Sequence, residues 1–79
     1  MRGRPHMDYF ASAPRGTWGT WDGRTARVPY GTHHARRLGS AESACGAPAM
    51  DWELFWDVGF APALEASCRP CARAILPTR

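Results

Sequence analysis

Ten side chains, the large aliphatics and phenylalanines, set how much interior this chain can build: Val28, Leu38, Leu54, Val58, Leu64, Ile75 and Leu76 with Phe10, Phe55 and Phe60. Among 79 residues that is about 13%, below the roughly 20% under which composition begins to point to disorder. The hydrophobic fraction of 44% conceals the shortage, because 13 of its residues are alanines, which bury little area. The length allows one domain. A chain this short commonly needs a disulfide, a metal or a partner to hold one structure.

Every basic side chain is arginine, and Lys, Asn and Gln are absent. Ala, Gly, Pro and Arg make 38 of the 79 residues. All four have GC-rich codons, so a reading frame with no selected product would share this bias. Charge is uneven. Residues 1–44 carry seven Arg against Asp8, Asp22 and Glu42, a balance of +4; residues 45–79 carry three Arg against Asp51, Glu53, Asp57 and Glu65, a balance of −1. Together these give the formal net charge of +3.

Arg2 and Arg4 precede no apolar run, so no secretory leader is expected. No stretch approaches the ~20 apolar residues of a membrane span. The expectation is a cytoplasmic chain with no membrane association. In a reducing compartment, an odd count of three cysteines reads as thiols or metal ligands before disulfides.

Two segments differ in pattern. Residues 1–44 are punctuated by Gly and Pro and sustain no period of 3.6 or 2. Thr25–Tyr30 reads as a short strand weakened by Pro29, and His34–Leu38 as a helical turn; the rest reads as irregular. In residues 45–79, Asp51 is placed to cap a short helix through Trp52, Glu53, Leu54, Phe55 and Trp56, with Gly59 as its stop. Pro62 suits the first turn of a second helix over 63–69. Pro70 then interrupts, and a last turn runs from Cys71 to Leu76. The expected fold is small and mostly α, with extensive irregular structure and a disordered N-terminal part.

The most pointed chemistry is sulfur. Cys68 and Cys71 form a C-x-x-C pair, and residues three apart share a face on a helix or tight turn. Cys45, 22 residues earlier, supplies a third thiolate. Thiolates are soft ligands suited to zinc or iron–sulfur centres. Three Cys plus His33 or His34 would complete a tetrahedral zinc site. Three unligated thiols are the plain alternative.

From Cys45 onward the chain resembles the WhiB-like family of iron–sulfur transcription regulators. The resemblance rests on Cys45, then Glu53–Leu54–Phe55–Trp56–Asp57–Val58–Gly59, then Pro62–Ala63–Leu64, then Cys68–Arg69–Pro70–Cys71. It covers about 30 of the 79 residues. Pro77 stands where the family's fourth cysteine would fall, so the resemblance is to a degenerate or truncated member. It implies a 4Fe-4S cluster on Cys45, Cys68 and Cys71, its fourth iron open or bound by water, Asp57 or a His. It also implies docking on a sigma factor domain through Trp52, Phe55, Trp56 and Phe60, and a role in transcription regulation. Val58–Pro77 resembles, more faintly, the active-site turn of thioredoxin-like proteins.

Arg2–Gly3–Arg4–Pro5 matches the core of an AT-hook, in which two guanidiniums enter a narrow A·T minor groove. A frayed terminus is its ordinary counterpart. Arg24, Arg27, Arg36 and Arg37 with Trp18, Trp21 and Tyr30 form a second candidate nucleic-acid surface, against a merely solvated arginine-rich segment. Ser43, Asp51 and His33 fit no nucleophile motif, and neither an enzyme nor a small-molecule substrate is expected. Three readings stand: a WhiB-like regulator acting with a sigma factor and DNA; a small, largely disordered chain without a metal, from a spurious or fragmentary frame; and a small zinc-binding module.

Overall fold

The computed structural model describes residues 9–75, and it is mostly β. Five strands, β1 (Tyr9–Ala13), β2 (Gly16–Trp21), β3 (Arg24–Pro29), β4 (His34–Arg37) and β5 (Glu53–Gly59), precede a single seven-residue helix, α1 (Arg69–Ile75). The mostly-α expectation is overturned, and so is that of a disordered N-terminal part: four of the strands lie between residues 9 and 37. The Arg2–Gly3–Arg4 motif lies outside the described residues.

Strands β2 and β3 form an antiparallel hairpin in unbroken register from Trp21↔Arg24 to Gly16↔Pro29. Its turn is Asp22–Gly23, both with positive φ, 55° and 79°. Two left-handed residues give the turn the twist that the flanking strands require, and Asp-Gly is among the pairs that adopt it most readily. Pro29 is accommodated because it closes β3 at the open end of the ribbon, where a missing N–H interrupts nothing.

The second sheet has the order β4-β1-β5, antiparallel throughout. Its register explains why β5 reads as a helix in sequence. Ala11 faces Phe55, but its neighbour Phe10 faces Gly59, so β5 carries extra residues in a bulge. The bulge places Phe55 and Val58, three apart, both in the interior. A spacing of three mimics a helical face, and a bulge breaks the period of two. The helix expected over Trp52–Trp56 is therefore strand β5, and the helical turn expected at His34–Leu38 is strand β4.

The helix expected over 63–69 is instead a succession of turns. The Leu64 N–H donates to the Ala61 carbonyl and the Ser67 N–H to the Leu64 carbonyl. Pro70 does not interrupt a helix; it occupies the first turn of α1, where its missing N–H has no intrahelical partner to lose.

Two small interiors result. One contains Ala11, Ala13, Phe55 and Val58, with Trp21 and Val28 packed against it. Gly16 lies so close that a Cβ there would come within 2.5 Å of the Phe55 ring. The other contains Ala35, Phe60, Cys71 and Ala72, bordered by Tyr9, Ala44, Cys45, Cys68 and Ile75. The loop from 38 to 52 is held by Arg36, whose guanidinium donates to the carbonyls of Ser40 and Trp52. A forked Arg27–Glu53 pair ties the hairpin to β5 through two bonds of 2.9 and 2.8 Å. It is partly exposed, so solvent screens it and its contribution is modest.

Candidate metal centre

The second interior brings four donor side chains to one point. The ligand atoms of His34, Cys45, Cys68 and Cys71 all lie within 4.8 Å of one another. The Nδ1 of His34 is 3.8 Å from the Sγ of Cys45 and 3.8 Å from that of Cys71. A tetrahedral zinc ion, with Zn–S near 2.3 Å and Zn–N near 2.0–2.1 Å, holds neighbouring ligands about 3.5–3.8 Å apart. The four side chains thus stand near the separations that one shared ion imposes.

Each ligand is positioned by a local device. His34 opens β4, and its ring leans on Trp52 with centroids 4.9 Å apart. Cys45 is presented by a tight turn in which the Gly46 N–H donates to the Ser43 carbonyl and the Ser43 N–H to the Ala47 carbonyl. Gly46 has φ +95°, a conformation that side chains rarely adopt, so glycine is needed directly after the ligand. Cys68 is pinned where the N–H of Cys68 donates to the His33 carbonyl and the N–H of His33 donates to Ala66. Its own carbonyl accepts the Ala72 N–H, the first bond of α1. Cys71 follows one turn later, fully buried.

Partners beyond the ligands shape the thiols. Ser43 Oγ is 3.1 Å from Cys45 Sγ, and the Ala35 N–H donates to Cys71 Sγ at 3.3 Å. Burial alone would raise the Cys45 thiol; hydrogen bonds from Ser43, the Ala47 backbone, His34 and Cys71 outweigh it and bring the group down to about 6. Cys71 is pushed up to about 11, by its burial first and by its neighbouring thiols, against the Ala35 N–H. Such hydrogen bonds to sulfur orient ligands and tune the metal they hold.

The fold distinguishes the two histidines that the sequence offers as equivalents. His34 faces the sulfurs. His33 is buried against Trp21, ring centroids 6.0 Å apart, and its Nδ1 has no hydrogen-bond partner among the described residues. Burial holds its pKa below the ordinary value. The role of His33 is carried by its backbone, which fixes the segment leading to Cys68. Asp57, the other fourth-ligand candidate, is not in the cluster.

The remaining expected site residues scatter. Phe55 and Phe60 are interior, one in each core, and present no surface to a partner. Trp52 is half-buried against His34, and Trp56 is exposed with its ring edge on Phe10. Arg36 is committed to the loop carbonyls, Arg27 to Glu53, and Arg37 lies over the Tyr9 ring. Ser43, the hydrogen-bond partner of the Cys45 sulfur, is marked in the sequence only by the Ser-x-Cys-Gly order and does not stand out there as part of a metal site. No helix among the described residues is long and apolar enough to cross a membrane.

The chain carries a cluster of one histidine and three cysteines placed to bind a metal, within a small β fold, and no protein-family model, curated protein or solved structure matches it.

Proposed function

We propose that this protein is a small zinc-binding module in which one Zn²⁺, held by His34, Cys45, Cys68 and Cys71, completes the second interior. The observation that carries the reading is the convergence of one imidazole nitrogen and three sulfurs within 4.8 Å, from three separated stretches of chain. Cys₃His is a common structural zinc set, and zinc accepts a tetrahedral arrangement without penalty. Four protein ligands leave no position for water or substrate, which favours a structural over a catalytic metal. The ion would tie β4, the Ser43–Ala47 turn and α1 together where apolar side chains are few.

A WhiB-like regulator with a 4Fe-4S cluster has less support. The thiolates of a cluster bind separate irons at its corners and so stand farther apart than ligands sharing one ion. Its aromatic docking surface would need Phe55 and Phe60, which are buried.

Metal analysis of protein isolated without added metal tests the reading: one zinc per chain is expected. Cobalt(II) added to metal-free protein should give the intense visible bands of a tetrahedral site with thiolate charge transfer. Anaerobic reconstitution with iron and sulfide is the competing arm. Bound iron with acid-labile sulfide, or an absence of stoichiometric zinc and cobalt binding, overturns the proposal.

A further inference from the structure

Zinc has no redox chemistry of its own, but three of the four side chains around it do. A metal-bound cysteine is a thiolate, and thiolate sulfur is what peroxides oxidise. The three sulfurs differ in access. Cys45 and Cys68 are half-buried, while Cys71 is fully buried. An oxidant arriving from solvent therefore meets Cys45 or Cys68 first. Cys45 is the better placed of the two. Ser43 Oγ, 3.1 Å from the Cys45 sulfur, accepts the Ala47 N–H at 3.2 Å, which leaves the hydroxyl's own hydrogen for the sulfur. A donor held against a sulfur favours its thiolate. Exposed Gly46 follows Cys45 in the turn and keeps the approach open.

A second sulfur stands behind it. Cys45 Sγ and Cys71 Sγ are each 3.8 Å from His34 Nδ1 and lie within 4.8 Å of one another. A disulfide bond is about 2 Å long, so the pair needs to close by less than about 3 Å. The motion falls on the Ser43–Ala47 turn rather than on a strand or on α1. Cys68 has less freedom: its N–H donates to the His33 carbonyl and its carbonyl accepts the first bond of α1. An accessible thiolate beside a resolving cysteine is the arrangement that redox-sensing sites use.

We propose that the metal centre is a redox switch: a peroxide oxidises Cys45, Cys71 closes a disulfide onto it, and the zinc is released. This rests on the zinc reading and adds a regulation to the same site. The Cys45 thiolate attacks the peroxide; an S–O bond forms, the O–O bond breaks and hydroxide leaves. The Cys71 thiolate then attacks the Cys45 sulfur; the S–S bond forms, the S–O bond breaks and a second hydroxide leaves. Two thiolates have given two electrons to one peroxide, and both hydroxides take protons from solvent. Of the four donors, His34 and Cys68 alone are left to the ion, too few for a structural zinc. The disulfide replaces the ion as the tie between the Ser43–Ala47 turn and α1.

The test treats the intact, reduced, zinc-loaded protein with hydrogen peroxide and reads released zinc with a chromogenic chelator. Free thiols should fall from three to one, with one zinc released for each disulfide formed. Cleavage after Glu53 and Glu65 separates Cys45 from Cys68 and Cys71. Two peptides joined through Cys45 and Cys71, located by fragmentation in the mass spectrometer, are expected. A thiol reductant with added zinc should restore both the thiols and the metal. Protein that holds no zinc before peroxide is added overturns the metal reading and this one with it. Protein that holds zinc, and keeps it with three free thiols after peroxide, overturns this one alone. So does zinc loss through a Cys68–Cys71 or an interchain disulfide, or through an oxidation that the reductant does not reverse.

Discussion

Around Ala11 and Ala13 the interior is completed by carbon: the Phe55 ring, Val58, and the hairpin's Trp21 and Val28. Around Ala35 and Ala72 it is completed largely by sulfur, with Phe60 as its one large buried apolar side chain and three thiols at or beside the cluster. Both regions rest on alanines of the same sheet, Ala11 and Ala13 on β1 and Ala35 on β4, the second completed by Ala72 of α1. They differ in what fills the remaining volume. Ten large aliphatic and phenylalanine side chains cannot fill two cores, and here not all of them are used inside, since Leu38 lies 64% exposed. A metal offers another source of cohesion: structural zinc supplies apparent binding energy of about 10 kcal/mol or more, comparable with the whole stability of a domain this small, on the order of 5–10 kcal/mol.

The largest expected effect comes from removing the metal. Chelation should release the sulfur-closed region first. By hydrogen exchange, the amides of Ala44, Cys68 and Ala72, which bond to Ala35, His33 and Cys68, should lose protection, while Ala26 in the hairpin keeps most of its own. Uniform loss across both regions would show that the two interiors are one cooperative unit and dissolve the contrast.

Next is Phe55→Ala, which empties the carbon-closed core. Truncating a buried phenylalanine costs about 3–5 kcal/mol, measured by denaturant at saturating zinc. The zinc:protein ratio of the folded fraction should stay at one. If zinc binding is lost with Phe55 while the protein stays folded, the ring is holding the metal centre rather than its own core.

The smallest effect is expected from Ser43→Ala, which removes a hydrogen bond to the Cys45 sulfur. Losses of this kind cost about ten- to a hundredfold in metal affinity, read by competition with a chromogenic chelator. In metal-free protein the same bond helps hold Cys45 near 6 against an ordinary 9.0. A group lowered on folding contributes stability that is present above pH 9 and is lost as pH falls through about 6. Cys71, raised to about 11, works oppositely: its contribution is present below pH 9 and goes as pH rises through about 11. Without metal, the closed form of this region should therefore gain stability over the released one between pH 6 and 9 and lose it above. Ser43→Ala should flatten the gain, and an unchanged profile would remove Ser43 from the site.

Much of the metal set was legible in the chain before folding. Three cysteines in a chain with a thin interior, two of them three residues apart, already speak of ligands, because sulfur chemistry depends on residue type and local spacing. A histidine near residue 33 was legible too, though not which one. The strands were harder. Asp22–Gly23 is a hairpin signal masked by the glycines and prolines around it. Over 53–59, the apolar spacing reads as a helix although the backbone is extended.

Residue types and short spacings thus carried the chemistry: soft ligands, scarce apolar mass, arginine as the sole basic side chain. Long-range pairing settled the rest. His34 rather than His33 meets the sulfurs because β4 lies along β1 in one register, and the neighbouring residue turns into the interior. Glu53–Gly59 is a strand because β1, some 40 residues earlier, supplies the hydrogen bonds that an isolated segment would otherwise satisfy within a helix. Such partners are remote in sequence, and no local pattern can encode them.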